Sequence, residues 1–202
     1  MTILSFNVYA LLAACMVGYL LGSIPVAAWV SRSRGVDIFS AGTRLAGAAN
    51  VARNVGRRYG LVVLLGDLAK GVLSVMVARQ MGLEDGMLLP PAVATLAGHW
   101  RSAFTHFRGG DGLAPLLGVT IVALPAPLFL IGTGMGAVVW IIARIIGHQP
   151  TLWGAAAGYG YVLVQVPASS GDSALLLGVG LMALVVVAHA ALGHRRRASS
   201  SA

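Results

Sequence analysis

Apolar runs of about 20 residues recur along the whole chain, and each is long enough to cross a lipid hydrocarbon core as an α-helix. Of the 202 residues, 57% are hydrophobic and only 10% charged, where a soluble domain carries about 25% charged residues. A chain so poor in charge was not built for a watery surface. The expected fold class is all-α, a polytopic integral membrane protein.

Val8–Val30 is the first expected span, with Gly22, Ser23 and Pro25 near its end. A proline there kinks the helix and frees backbone groups that must find partners inside the protein. Ser31–Tyr59 follows as a polar loop holding six arginines against Asp37. Gly60–Gln80 is the second span, Met81–Gly86 an acidic turn, Met87–Phe104 the third span and Thr105–Gly112 a glycine turn. Leu113–Leu130, Gly132–Ile146 and Leu152–Val166 are the fourth, fifth and sixth spans. After a small-residue turn at Pro167–Ser173, Ala174–Leu192 is the seventh. The reading is a single seven-span membrane domain over residues 1–194 and a short basic cytoplasmic tail over residues 195–202.

Charge tests the count. The net charge is +8, from thirteen arginines and Lys70 against six acids. With seven spans, twelve of the arginines fall on one side, leaving Arg79 on the other with Glu84, Asp85 and Asp172. Basic residues concentrate in the cytoplasm, which puts the N-terminus outside and the C-terminus inside. The excess of cations suits cytoplasmic loops and anionic headgroups, and no aromatic-rich basic patch points to nucleic acid. One cysteine, Cys15, excludes an intramolecular disulfide. No basic residue precedes Arg32, so a signal peptide's charged start is lacking. Leu12-Ala13-Ala14-Cys15 imitates a lipoprotein cleavage box, yet the apolar run continues to Leu21, as an uncleaved helix would.

Two features carry chemistry. In Phe107-Arg108-Gly109-Gly110-Asp111-Gly112, three glycines let the backbone turn and expose N–H groups ahead of the apolar run Leu113–Leu117. A Gly-rich turn feeding a helix N-terminus suits a phosphate. Asp67 and Lys70, three apart on a helix, share a face, and charges inside a span are costly, paired and often functional. The five histidines form no metal pattern; His99 and His106 are joined by no acid or cysteine. Gly132-Thr133-Gly134-Met135-Gly136 imitates a nucleotide loop, but inside a span such glycines serve close helix packing. Ser23, His99 and His194 lie near the cytoplasmic side as further polar candidates. The arrangement suits a small phosphorylated anion beside a lipid tail.

Four stretches resemble the bacterial acyl-phosphate:glycerol-3-phosphate acyltransferase family. They are Gly22-Ser23-Ile24-Pro25; Gly35-Val36-Asp37-Ile38 with Gly42, Gly47-Ala48, Asn50-Val51 and Arg53; Asp67-Leu68-Ala69-Lys70-Gly71; and Gly98-His99 with Phe104 and Phe107–Gly112. The resemblance implies a seven-span protein of the bacterial cytoplasmic membrane that moves a fatty acyl group from acyl phosphate to glycerol 3-phosphate. The product would be lysophosphatidate, for phospholipid synthesis. It implies no metal and no cofactor, and it names no catalytic residue or protein partner. Implied substrate-binding residues are Ser23, Asn50, Arg53, Lys70, His99, Arg108, Gly109, Gly110, Gly112 and His194.

The chain departs from the family pattern in four places. Gly42-Thr43-Arg44-Leu45 stands where the family has Gly-Ser-Gly-Asn, and Asp111 replaces a lysine of the glycine loop. Arg144-Ile145-Ile146-Gly147-His148 lacks the fifth-loop serine, and His194-Arg195 is all that remains of the C-terminal motif. Exchanging lysine for aspartate beside a phosphate is unfavourable by on the order of 8 kcal/mol, at about 4 Å and an effective dielectric near 20. The sequence alone leaves three functions open: this acyl transfer, a catalytically impaired paralogue binding a phosphorylated lipid or precursor in a regulatory or partner role, and a small transporter.

Overall fold

A computed structural model describes residues 8–147, 149–165 and 173–198, with side chains described to residue 191 in the last helix. The described residues form α-helices joined by turns: α1 (Val8–Ser23), α2 (Val26–Arg32), α3 (Ala48–Asn54), α4 (Arg57–Gln80), α5 (Leu89–Trp100), α6 (Leu113–Ala123), α7 (Ala126–Ile146), α8 (Pro150–Gln165) and α9 (Ser173–Ala198). Single 3-10 turns sit at Asp85–Leu88 and Ala103–Thr105.

Prolines set the breaks. Pro25, which has no N–H, separates α1 from α2, and the two helices together make one apolar stretch of 25 residues. Pro125 and Pro127 start α7 at Ala126, directly after α6 ends. The expected fourth span, Leu113–Leu130, is therefore cut short. Its boundary with the fifth lies at Leu124–Pro125 rather than at residue 131, because a proline at a helix start is tolerated and inside a helix is not. The expected third span, Met87–Phe104, reduces to a 12-residue helix that begins at its own proline pair and ends at Trp100. At the other end of the chain, α9 continues as helix to Ala198, beyond the expected end at Leu192.

Among the described residues, four helices are long and apolar enough to cross a membrane unaided: Val8–Arg32, Arg57–Gln80, Ala126–Ile146 and Ser173–Ala191. Of the others, α5 and α6 reach only about 16–18 Å at 1.5 Å per residue. Large apolar side chains such as Leu61, Leu65, Ile141, Ile145, Leu181 and Val185 face outward, which suits a lipid environment.

Small residues let the helices close up. A Cβ on Gly22 would strike the Thr95 backbone of α5, and one on Gly118 would strike the Leu68 carbonyl of α4. In the α7–α8 hairpin, a Cβ on Gly136 would lie 2.8 Å from the Gly154 carbonyl. Gly132 and Gly136 of the run at 132–136 thus serve packing, whereas a side chain on Gly134 would meet open space. One apolar core gathers α1, α4, α5, α6 and α9 around Val75, Leu96, Leu116 and Val179. A second lies under the loop after α2, around Ile38, Phe39, Val51 and Val63. The α7–α8 hairpin packs chiefly on α9 and touches α6 only sparsely.

Candidate functional site

The polar residues meet where α1 and α5 end. On α4, Lys70 Nζ lies 2.7 Å from Asp67 Oδ1, and the two residues are 4% and 2% exposed. A pair this dry persists only with close contact and further partners. His99 of α5 supplies one, its Nδ1 standing 3.9 Å from the same oxygen. The far side of that ring faces the glycine loop, with Nε2 occupying the space that a side chain on Gly110 would need. Ser23 closes α1 and donates to the Gly98 carbonyl at 3.5 Å, while Ser102 Oγ donates to the Ser23 carbonyl.

The loop from Thr105 to Gly112 is held in a strained course. His106 and Phe107 both take the left-handed backbone, φ 53° and 58°, which costs non-glycine residues energy that the surroundings must offset. Thr105 Oγ1 donates to the Arg108 carbonyl. Gly110 N donates to the His99 carbonyl at 3.2 Å, and Ala46 N donates to the Gly109 carbonyl at 3.2 Å. Neither Gly109 nor Gly110 has space for a Cβ. Gly112, at φ +92°, turns the chain into α6. The Arg108 guanidinium lies 4.4 Å from the centre of the Phe39 ring, a cation–π contact.

Ser23, Asp67, Lys70, His99, Arg108, Gly109 and Gly110 border one narrow cavity of about 10 Å³. Phe39, Ser102 and Thr105 also line it, and sequence reading missed all three: each sits in an irregular turn with no periodic signal. Asp67 and His99 also border a groove of about 510 Å³, together with Asp111, Leu113, Leu117 and the start of α3. Leu113, Leu117, Trp140 and Thr151 are shared between this groove and an apolar chamber of about 270 Å³ between α6, α7 and α8. The two spaces adjoin.

Other expected site residues stand apart. Asn50 is 3% exposed, and its amide clamps the loop ahead of α3. Its Nδ2 donates to the carbonyls of Leu45 at 2.9 Å and Ala41 at 3.0 Å, while Oδ1 accepts from Thr43 N at 3.1 Å. Asn50 thus shapes the loop that leads to Ala46. Arg53 points outward, with Nε donating to the Ala49 carbonyl at 3.1 Å. Gly112 lies under Trp100 rather than in the cavity. The backbone of His194 belongs to α9, but its side chain lies outside the described residues, as does His148. Asp111 Oδ1 accepts from Leu113 N at 3.3 Å, so its charge is partly met at the positive end of α6. That contact reduces the conflict expected between this carboxylate and a phosphate. Among the described residues, no group of three His, Cys, Asp or Glu is placed to hold a metal.

Fold and site together define a helical integral membrane protein with a buried cation and a glycine loop where two helices end. The chain matches the description "Glycerol-3-phosphate acyltransferase" over residues 12–198. Glycerol-3-phosphate acyltransferase 1 of Deinococcus radiodurans is 37% identical over 178 residues, which is 88% of this chain and 87% of that protein. The glycerol-3-phosphate acyltransferase of Rubrobacter xylanophilus is 38% identical over 128 residues, 63% of this chain but only 62% of its own length. The solved structure of PlsY, an integral membrane glycerol 3-phosphate acyltransferase in its glycerol 3-phosphate form, superposes with a TM-score of 0.74 at 26% identity. It covers 94% of this chain and 90% of PlsY, and the lysophosphatidic acid form gives a TM-score of 0.67. The chain belongs to the glycerol-3-phosphate acyltransferase family.

Proposed function

We propose that this protein transfers a fatty acyl group from acyl phosphate to glycerol 3-phosphate in the bacterial cytoplasmic membrane, giving lysophosphatidate and inorganic phosphate. Relatives and solved neighbours with that acceptor or product in their names support the reading. The observation that carries it is the continuity of two unlike spaces. A cavity bordered by Lys70, Arg108 and the glycine loop lies beside a groove that runs on into an apolar chamber. A reactant with a phosphate at one end and a hydrocarbon tail at the other fits that sequence of surfaces.

In the reaction, the acceptor hydroxyl oxygen attacks the acyl carbonyl carbon, the acyl carbon–oxygen bond to phosphate breaks, and phosphate leaves with the electron pair. The hydroxyl proton is released to the departing phosphate or to water. Lys70, Arg108 and the loop N–H groups hold phosphate oxygens and meet the charge developing at the carbonyl oxygen. Ser23 and His99 border the acceptor's side of the cavity. Holding a water-soluble acceptor against a lipid-borne donor supplies much of the rate through proximity.

The same reading assigns seven crossings: α1 with α2, then α4, α5, α6, α7, α8 and α9, with α5 and α6 as short elements at the site. The N-terminus lies outside, and the arginine-bearing loops and the tail at 195–202 lie in the cytoplasm. Residues 1–194 act as one membrane domain.

The test uses purified protein in lipid with palmitoyl phosphate, with and without glycerol 3-phosphate. Phosphate release that depends on glycerol 3-phosphate, with lysophosphatidate formed, is the expected outcome. Folded protein without turnover beside an active family member refutes the reading, and release without an acceptor makes the protein a hydrolase.

A further inference from the structure

The glycine loop is anchored to the fold by a residue outside the matched motifs. Trp100 is the last residue of α5, next to His99. Its indole N–H, which can only donate, donates to the carbonyl of Asp111 at 2.9 Å. The same nitrogen lies 2.6 Å from the point where a Cβ on Gly112 would sit, and the carbonyls of His99 and Trp100 together fill the equivalent space at Gly109. On another side the indole meets the His189 ring of α9, with centroids 4.8 Å apart and planes inclined by 31°. Trp100 therefore joins α5, α9 and the start of α6 under one turn.

The bonded carbonyl belongs to the Asp111–Gly112 peptide. In a trans peptide the C=O and the following N–H point in opposite directions. Holding the Asp111 carbonyl against the indole turns the Gly112 N–H away from it. Gly112 has no Cβ to oppose rotation of this plane. A released peptide would free the backbone on both sides of it, including Gly109 and Gly110 at the cavity.

We propose that Trp100 is a positioning residue, whose indole N–H fixes the Asp111–Gly112 peptide and so holds the preceding Gly109–Gly110 backbone at the wall of the cavity beside Lys70. The proposal rests on the reading that this loop faces phosphate. It gives the chain an orientation device of its own at the position where Asp111 replaces the expected lysine.

The test is Trp100→Phe, which keeps an aromatic ring and removes the donor. A second variant carries benzothienylalanine at residue 100, which keeps the indole's shape without an N–H and guards against failure to fold. With palmitoyl phosphate and glycerol 3-phosphate in lipid, KM for one phosphate substrate should rise about fivefold in both variants, the size expected of one neutral hydrogen bond. The kcat should stay within about twofold, and His189→Phe, which spares the N–H, should leave KM near wild type. Equilibrium binding of glycerol 3-phosphate, or of inorganic phosphate, is measured on the same proteins. A wild type that binds without turnover removes the proposed activity while still deciding this inference. Unchanged KM and unchanged binding with a lowered melting temperature would reduce Trp100 to a packing residue and overturn the proposal. A wild type that binds neither anion overturns it as well.

Discussion

Replacing Lys70 by methionine separates what the buried ion pair does for the fold from what it does for substrate. The pair is 2.7 Å long and almost wholly dry. Removing the cation leaves the Asp67 carboxylate with His99 at 3.9 Å as its nearest potentially charged neighbour. Breaking a buried pair from one side costs about 3–5 kcal/mol, comparable with the roughly 4 kcal/mol of attraction at about 4 Å and an effective dielectric of 20. At roughly 2–4 °C per kcal/mol for a chain of this size, the melting temperature of Lys70→Met should fall by on the order of 10 °C. The double variant Asp67→Asn/Lys70→Met leaves no uncompensated charge and should recover most of that loss. Thermal unfolding in lipid, run as a double-mutant cycle, measures the coupling. If Lys70 also holds phosphate, the double variant is stable yet binds acyl phosphate or glycerol 3-phosphate poorly. A Lys70→Met protein that melts within about 2 °C of wild type would refute the energetic argument, since an unpaired buried carboxylate cannot cost so little. A stable double variant with wild-type KM values would remove Lys70 from the substrate site.

Two further variants probe the loop and the chamber. Asp111→Lys removes a carboxylate and returns a cation to the loop, so KM for a phosphate substrate should fall, with a small loss of stability as Leu113 N loses its acceptor; unchanged KM in folded protein would place residue 111 outside the phosphate's reach. Leu117 borders both the groove and the chamber, so Leu117→Trp should narrow the passage and lower kcat/KM for long-chain acyl phosphates more than for short ones. Each excluded methylene is worth about 0.8 kcal/mol, and a uniform loss across chain lengths would show that the tail lies elsewhere.

The helical, membrane-bound character was legible because apolar length is a direct physical requirement for crossing lipid. The Asp67–Lys70 contact was legible too, since residues three apart on a helix meet whatever the surroundings. Breaks were harder. Pro125 was visible in the sequence, but an apolar run continues on both sides of it, so residues 113–130 looked like one span. Within the candidate site, Lys70, His99 and Arg108 were singled out by residue type and position and again by the motif resemblance, yet the partners that orient them were not legible. Trp100 reads as an ordinary apolar residue until its N–H is seen on a carbonyl eleven residues away. Asn50 stood out as a substrate-binding residue, whereas in the structure its amide holds its own loop.

The narrowness of the cavity beside Lys70 has a chemical consequence. A space of about 10 Å³ admits about one water molecule and no glycerol 3-phosphate, so on the proposed function entry of the acceptor requires residues that border it to part. An acyl phosphate is a mixed anhydride that water can hydrolyse, and an open site would waste such a donor. On the proposed function, a site that widens only around the right alcohol would keep the donor intact until that alcohol arrives, and selectivity against hydrolysis would come from closure.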